Sequence, residues 1–226
     1  MATFLSLVND VERESGAVAS TQYLATVVGA VGIQAKIVSW VIQAWQDIQR
    51  QRPDWIFMRK TFTSALVIGQ ARYAASDFSI TDFGSWMPEA DRLSPYKIHD
   101  STIGLTDQTR VPILPYREWQ RRYDISTTDN TRPAAMSVDW ARQLCFGPAP
   151  DAAYVIKGEY RRAVETLAAD ADEPDMPEDH HRAIAWLALS YFASSDEAVV
   201  QAQEAIAQFR RINSAMVREC VEGIEL

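Results

Sequence analysis

Between residues 33 and 48 the apolar side chains return every three or four positions. Ile33, Ile37, Val38, Trp40, Val41, Ala44, Trp45 and Ile48 make one stripe, opposed by Gln34, Lys36, Gln43, Gln46, Asp47 and Arg50. That is the period of a helix, and a stripe so wide must be buried against other elements. Pro53 cannot continue the helix and should end it. The two tryptophans each bring a large apolar area, which makes this helix the expected organiser of the N-terminal core. Ahead of it, Phe4, Leu7, Val8 and Val11 recur at helical spacing behind Thr3, a good N-cap residue, and predict a short helix that stops near Gly16.

From Trp55 to about Tyr160 the texture changes to short β-prone runs separated by Gly, Pro, Asp and Asn. The clearest strand covers residues 154–161, where Tyr154, Ile156, Gly158 and Tyr160 alternate with Val155, Lys157, Glu159 and Arg161. Residues 58–68, 95–99, 110–114, 134–138 and 142–146 are further candidates. Between them, residues 115–123 read as one or two helical turns, with Pro115 at the start and Glu118 in the first turn. Short strands so regularly spaced predict an antiparallel sheet rather than parallel crossovers.

An Ala/Asp-rich linker over residues 167–175 leads to Pro177, which should open a helix with Glu178 and Asp179 in its first turn. Its buried face is expected to be Ala183, Ile184, Leu187, Ala188, Tyr191 and Phe192. Ser194 with Glu197 matches a capping box for a following helix, which would bury Val199, Ile206, Phe209, Met216 and Val217. The expected fold is therefore α+β: N-terminal and C-terminal helices forming a helical bundle, with a central, mostly antiparallel β-domain. The expected division is 1–54 for the N-terminal helices, 55–162 for the β-rich insertion, and 163–226 for the acidic linker and C-terminal helical hairpin.

Charge and cysteine content narrow the chemistry. Residues 1–162 hold 18 Lys and Arg against 17 Asp and Glu, whereas residues 163–226 hold 4 against 13, and the whole chain carries −8. Such a balance disfavours a nucleic-acid grip, which depends on clustered cations that release counterions from phosphates. Cys145 and Cys220 stand alone, without the companion ligands of a zinc site or a disulfide framework. Reduced thiols are expected, with Cys145 an inert buried one. The longest apolar stretch, residues 23–33, is interrupted by Thr26, Gly29 and Gly32 and falls far short of the ~20 residues that span a bilayer. The N-terminus has no basic start or small-residue cleavage site, so folding in a cytoplasm is expected.

Catalytic motifs are sparse. His180 and His181 follow Glu178 and Asp179, but adjacent helical residues point about 100° apart, and Ala183, Ile184 and Ala185 supply no second ligand one turn on. One exposed and one half-buried, hydrogen-bonded histidine is the expectation, with no metal. Ser94, Pro95, Tyr96 and Lys97 spell S-x-x-K, without the helix or the companion motifs that such acyl-transfer sites need. Nucleophile elbows, P-loops and dinucleotide fingerprints are missing, so no catalytic, cofactor-binding or metal residues are assigned. A hydrolase built on a pair of carboxylates leaves no motif and stays open as an alternative.

Several segments, in order and spacing, resemble the head-to-tail adaptor proteins of short-tailed bacteriophages and related prophages. They are residues 40–48 (WVIQAWQDI), Asp54-Trp55, residues 114–123 (LPYREWQRRY), Arg132-Pro133, residues 148–160 (PAPDAAYVIKGEY), and residues 172–181 (DEPDMPEDHH) before an Ala-rich helix. The resemblance covers residues 33–192 in patches. It departs at His180, where a bulky apolar or aromatic residue is the family's pattern.

The resemblance implies a structural virion protein without enzymatic activity or cofactor, assembled in the host bacterial cytoplasm and placed at the head–tail junction. Its copies, usually twelve, form a ring below the portal protein that extends the DNA channel and offers a platform to a tail or nozzle protein. A stopper or tail-completion protein of the same junction is the nearest alternative. Packaged DNA would pass without specific binding, and no membrane is involved. On that reading Asp170, Asp172, Glu173, Asp175, Glu178 and Asp179 either line the channel as an anionic collar or dock on basic partner patches. Loops at residues 80–94, with Trp86 taken as exposed, and 101–109 would reach neighbours, and the tail at residues 221–226 is a further docking candidate.

Overall fold

Thr3 begins the first helix by accepting the Ser6 N–H at 3.3 Å through its hydroxyl, and Gly16, at φ 65°, ends it in the left-handed region. A computed structural model describes residues 2–88, 93–125 and 129–221. The chain divides into two units, one of Met1–Met58 with Val164–Leu226 and one of Arg59–Ala163.

The first unit is helical. It contains α1 (Phe4–Ser15) and α2 (Gly32–Gln51), with α4 (Arg182–Ser195) and α5 (Val199–Cys220) from the other end of the chain. Pro53 stops α2 as its chemistry requires. Helix α4 touches α1, α2 and α5, and it buries Ala183, Ile184, Ala185, Ala188, Leu189, Phe192 and Ala193, nearly its whole circumference. A helix apolar all round belongs at the centre of a bundle, and its alanines let the neighbours come close. Trp45 of α2 is fully buried, stacked on Phe57 at 6.1 Å, while Trp40 is half-buried and meets Phe192 edge-on at 5.8 Å. Trp55 is also fully buried and donates its indole N–H to the Ile48 carbonyl at 2.8 Å.

For the C-terminal helices one expectation fails and another holds in part. Ser194 bonds back to the Ser190 carbonyl instead of capping α5, whose N-cap residue Ala198 has no side-chain cap. The buried face of α5 is Ala202, Ala205, Met216 and Cys220, while Val199 is 63% exposed. Met216 is buried as expected and Ile206, Phe209 and Val217 are half-buried, while the three-residue turn before α5, with Glu197 at φ 57°, leaves Val199 outside and Ala202 and Ala205 inside. Pro177 opens a 3-10 turn (Glu178–His180), and α4 starts after it.

The second unit carries β1 (Arg59–Ala65), β2 (Arg72–Tyr73), β3 (Phe83–Trp86), β4 (Lys97–Asp100), β5 (Thr109–Arg110), α3 (Tyr116–Tyr123), β6 (Ala135–Val138), β7 (Leu144–Gly147) and β8 (Tyr154–Arg162). One sheet has the order β1-β8-β4-β5, with β3 also on β8; the other runs β2-β7-β6. Every strand ladder is antiparallel. The candidate at 110–114 shrinks to two residues because Pro112 has no N–H to give to a ladder; Ile113 keeps a lone parallel bridge to Met136.

Strand β8 alternates as its sequence does, with Tyr154, Ile156, Gly158 and Tyr160 inward. These meet Phe62, Tyr96, Ile98, Leu144 and Phe146 in a core of aromatic and branched side chains. Gly158 is required there, since a Cβ would fall 2.4 Å from the Tyr96 ring. Helix α3 lies against β6 and β7 and buries Trp119.

Candidate docking surfaces

The acidic segment does two different jobs. The Asp170 carboxylate accepts the Val27 N–H at 2.7 Å, and the carbonyls of Asp170 and Asp172 accept the N–H groups of Leu5 (3.2 Å) and Phe4 (2.7 Å). The linker thus satisfies the open donors of the first turn of α1. The Asp172 carboxylate accepts the Ala168 and Ala169 N–H groups at 2.7 and 2.8 Å, and these bonds hold its pKa below the ordinary 3.8. Asp170 and Asp172 therefore fold the linker, while Glu173, Asp175, Glu178 and Asp179 are exposed.

A pH dependence follows. Because the folded-state pKa of Asp172 lies below the unfolded one, its stabilisation is complete above the unfolded value and is lost as pH falls through the folded one. Asp172→Asn should therefore lose less thermal stability than the native chain on acidification from about pH 5 to about pH 3. Equal acid slopes would remove this role. Asp82, Asp100 and Asp107, whose pKa values are also lowered, keep the residual slope from vanishing.

Glu165, Glu173, Asp175 and Glu178, with Pro174, Met176 and His181, line an open depression of about 390 Å³. Glu165 is half-buried and the other three carboxylates are exposed, so none is the desolvated acid that general acid catalysis requires. A second depression, about 440 Å³, is lined by Lys60, Phe62, Ser79, Asp82 and Tyr160 among others. There Asp82 is spoken for: burial opposes its ionisation, but hydrogen bonds from Lys60 and Tyr160, both at 2.7 Å, outweigh it and lower the pKa.

The histidine pair is structural, and both rings are buried, not one. His180 Nε2 lies 2.8 Å from Glu219, so a polar ring fills the apolar place and finds its partner across the bundle. His181 Nδ1 accepts the Ala2 N–H at 3.3 Å, which leaves Nε2–H to donate to the Met176 carbonyl at 2.9 Å. Among the described residues, no three His, Cys, Asp or Glu side chains are grouped to hold a metal ion. Burial pushes the thiols of Cys145 and Cys220 up to about 12 and about 11, which suits inert core residues. The Ser94 hydroxyl is buried and accepts the Tyr96 N–H at 3.2 Å.

Trp86 is not an exposed loop residue. It ends β3, is 8% exposed, donates its indole N–H to the Arg142 carbonyl at 2.7 Å, and packs on Phe62, Phe78 and Phe83. The exposed tryptophan is Trp140, at 87%, on the β6–β7 turn. Its sequence signal was the Asp139-Trp140-Ala141-Arg142 turn between two strand runs, which places its second residue in solvent. The loop at 101–109 does present apolar groups, with Ile103 61% and Leu105 73% exposed. It is held by Asp100, which accepts the Thr102 N–H at 2.7 Å, and by Asp107, which takes Arg132 at 2.6 Å and the Asp100 N–H at 3.0 Å. Of the other candidates, residues 89–92 and 222–226 lie outside the described residues; Val221 bridges to Trp55.

No described helix is long and apolar enough to cross a membrane. A family model described as "SU10 adaptor protein" matches residues 2–220. No curated protein matches the chain.

Proposed function

The chain belongs to the SU10 adaptor protein family, a family of phage adaptors, and on that premise we propose that it forms a ring below the portal. Twelve copies would extend the DNA channel and present a platform to a tail or nozzle protein, in a particle assembled in the host cytoplasm. The carrying observation is the span of the family match, which takes in the helical unit and the β-rich unit alike. The site chemistry points the same way: buried thiols, internally bonded histidines and solvated carboxylates suit a structural role.

Of the two uses for the acidic segment, docking is the better supported. An anionic collar loses two of its six carboxylates, because Asp170 and Asp172 are turned to backbone donors. Glu173 and Asp179 remain as exposed carboxylates that basic partners can meet. Packaged DNA would pass the ring without specific binding, in keeping with the −8 charge.

Mixing the purified chain with portal rings of the same phage tests the reading. One adaptor per portal subunit, visible as an added layer by electron microscopy and as a matching mass increment, is the expected result. Portal rings that stay bare at micromolar adaptor would overturn it.

A further inference from the structure

We propose that the outer face of the five-stranded sheet is a cationic contact surface for the acidic segment of a second copy of this chain. Such a contact would be one seam of the proposed ring and rests on that reading. The strand register creates the surface. Thr63 opposes Lys157, Lys157 opposes Lys97, and Lys97 opposes Arg110, across four strands. Residues directly opposite share a face, with Cβ atoms about 5 Å apart, so three cations stand in one row.

The inner side of the same strands carries the buried Phe62, Ile156 and Ile98, so the row points away from the core. Lys157 and Arg110 are exposed and Lys97 is half-buried. Arg110 donates to the Ser94 carbonyl at 2.8 Å, and neither lysine reaches a carboxylate among the described residues. Like charges directly opposite one another destabilise a sheet. An anionic surface laid across the row converts that repulsion into attraction.

The chain supplies the complement. Residues 59–163 hold 14 Lys and Arg against 12 Asp and Glu, while the remainder holds 8 against 18. Glu173 and Asp179 are exposed carboxylates on the acidic segment. Because the two patches differ, the contact is heterologous and leaves each copy a free half for the next, as a closed ring requires. Nucleic acid fits the face less well. The rows beside the cations, Thr61 with Glu159 and Ala65 with Val155 and His99, hold no Phe, Tyr or Trp ring for a base to stack on, and Glu159 adds a negative charge.

Sedimentation velocity of the full chain at low and high salt tests the contact. The native chain should self-associate at low salt and less so as the Debye length shortens. Lys97→Glu/Lys157→Glu and Glu173→Lys/Asp179→Lys should each weaken association at least tenfold, and mixing the two variants should restore it. Lys157→Glu alone relieves the opposition to Lys97, so it should weaken association while keeping or raising the melting temperature.

A native chain that stays monomeric at low salt, or variants that do not complement, would overturn the contact. Rings that form on the portal with the Lys97→Glu/Lys157→Glu variant as readily as with the native chain would overturn it and leave the ring reading standing. Complementation that yields open chains on which no portal ring acts would keep the contact and overturn the ring. Binding of a DNA duplex that this variant loses, without self-association, would overturn it in favour of nucleic acid.

Discussion

Trp45→Ala should cost the helical unit about 3–5 kcal/mol, the range for truncating a large buried aromatic. The indole is wholly enclosed in the cluster that α1, α2 and α4 share. Its removal forfeits the stacking on Phe57 and the N–H bond to Glu165 at 3.2 Å, and the surrounding helices cannot collapse into the space without breaking their own contacts. Denaturant unfolding followed by far-UV circular dichroism reads the loss. Trp40→Ala provides the internal control, since the half-buried Trp40 keeps one side in solvent and should cost markedly less. Equal losses at the two positions would contradict the burial difference on which the bundle's organisation rests.

Gly158→Ala should cost about 3 kcal/mol, the upper end of the usual overpacking range. The new methyl would sit 2.4 Å from Tyr96 Cδ1 and 2.8 Å from Phe62 Cε1. Neither side can yield easily. Strand β8 is paired with β1 along one edge and with β4 and β3 along the other, so moving its backbone disturbs three ladders. Tyr96 is fully buried and its hydroxyl is held between the Met87 and Glu159 carbonyls, both at 3.1 Å. Adding Tyr96→Leu should recover part of the loss, giving a coupling energy of about 1 kcal/mol or more between the two sites. A Gly158→Ala chain as stable as the native one would show that the ring and the glycine do not meet as described.

Much of this fold was legible because local rules and tertiary packing agree. The stripe on α2, the Thr3 cap and Gly16 stop of α1, the start of α3 after Pro115 and the alternation of β8 all appear where their periods place them. Each is a strong local signal that packing reinforced. Where structure departs from expectation, the turn ahead of an element or partners distant in the sequence decide burial. On α5 the bulky Val199 is outside and Ala202 and Ala205 are inside, because the turn before the helix fixes its rotation. Trp86 stands between turn-forming neighbours in the sequence, yet the rings of Phe62, Phe78 and Phe83 of its own unit enclose it. The sequence predicts one exposed and one half-buried histidine at 180 and 181, but their partners, Glu219, Ala2 and Met176, meet them only in the folded bundle.

By itself the sequence determined the class of fold, the helices that carry wide apolar stripes, the placement of the acidic surplus in the last quarter and the family resemblance. These depend on periodicity, composition and the order of motifs along the chain, all of which are one-dimensional. Tertiary structure alone decided which charges are available and which charges face each other. The Asp170 carboxylate is engaged because the fold brings the Val27 N–H to it, and that of Asp172 by the Ala168 and Ala169 N–H groups of the linker it folds, while the backbone carbonyls of both take the open N–H groups of α1. Lys157, Lys97 and Arg110 became a row because strand register, a two-dimensional property, sets residues far apart in the chain directly opposite one another.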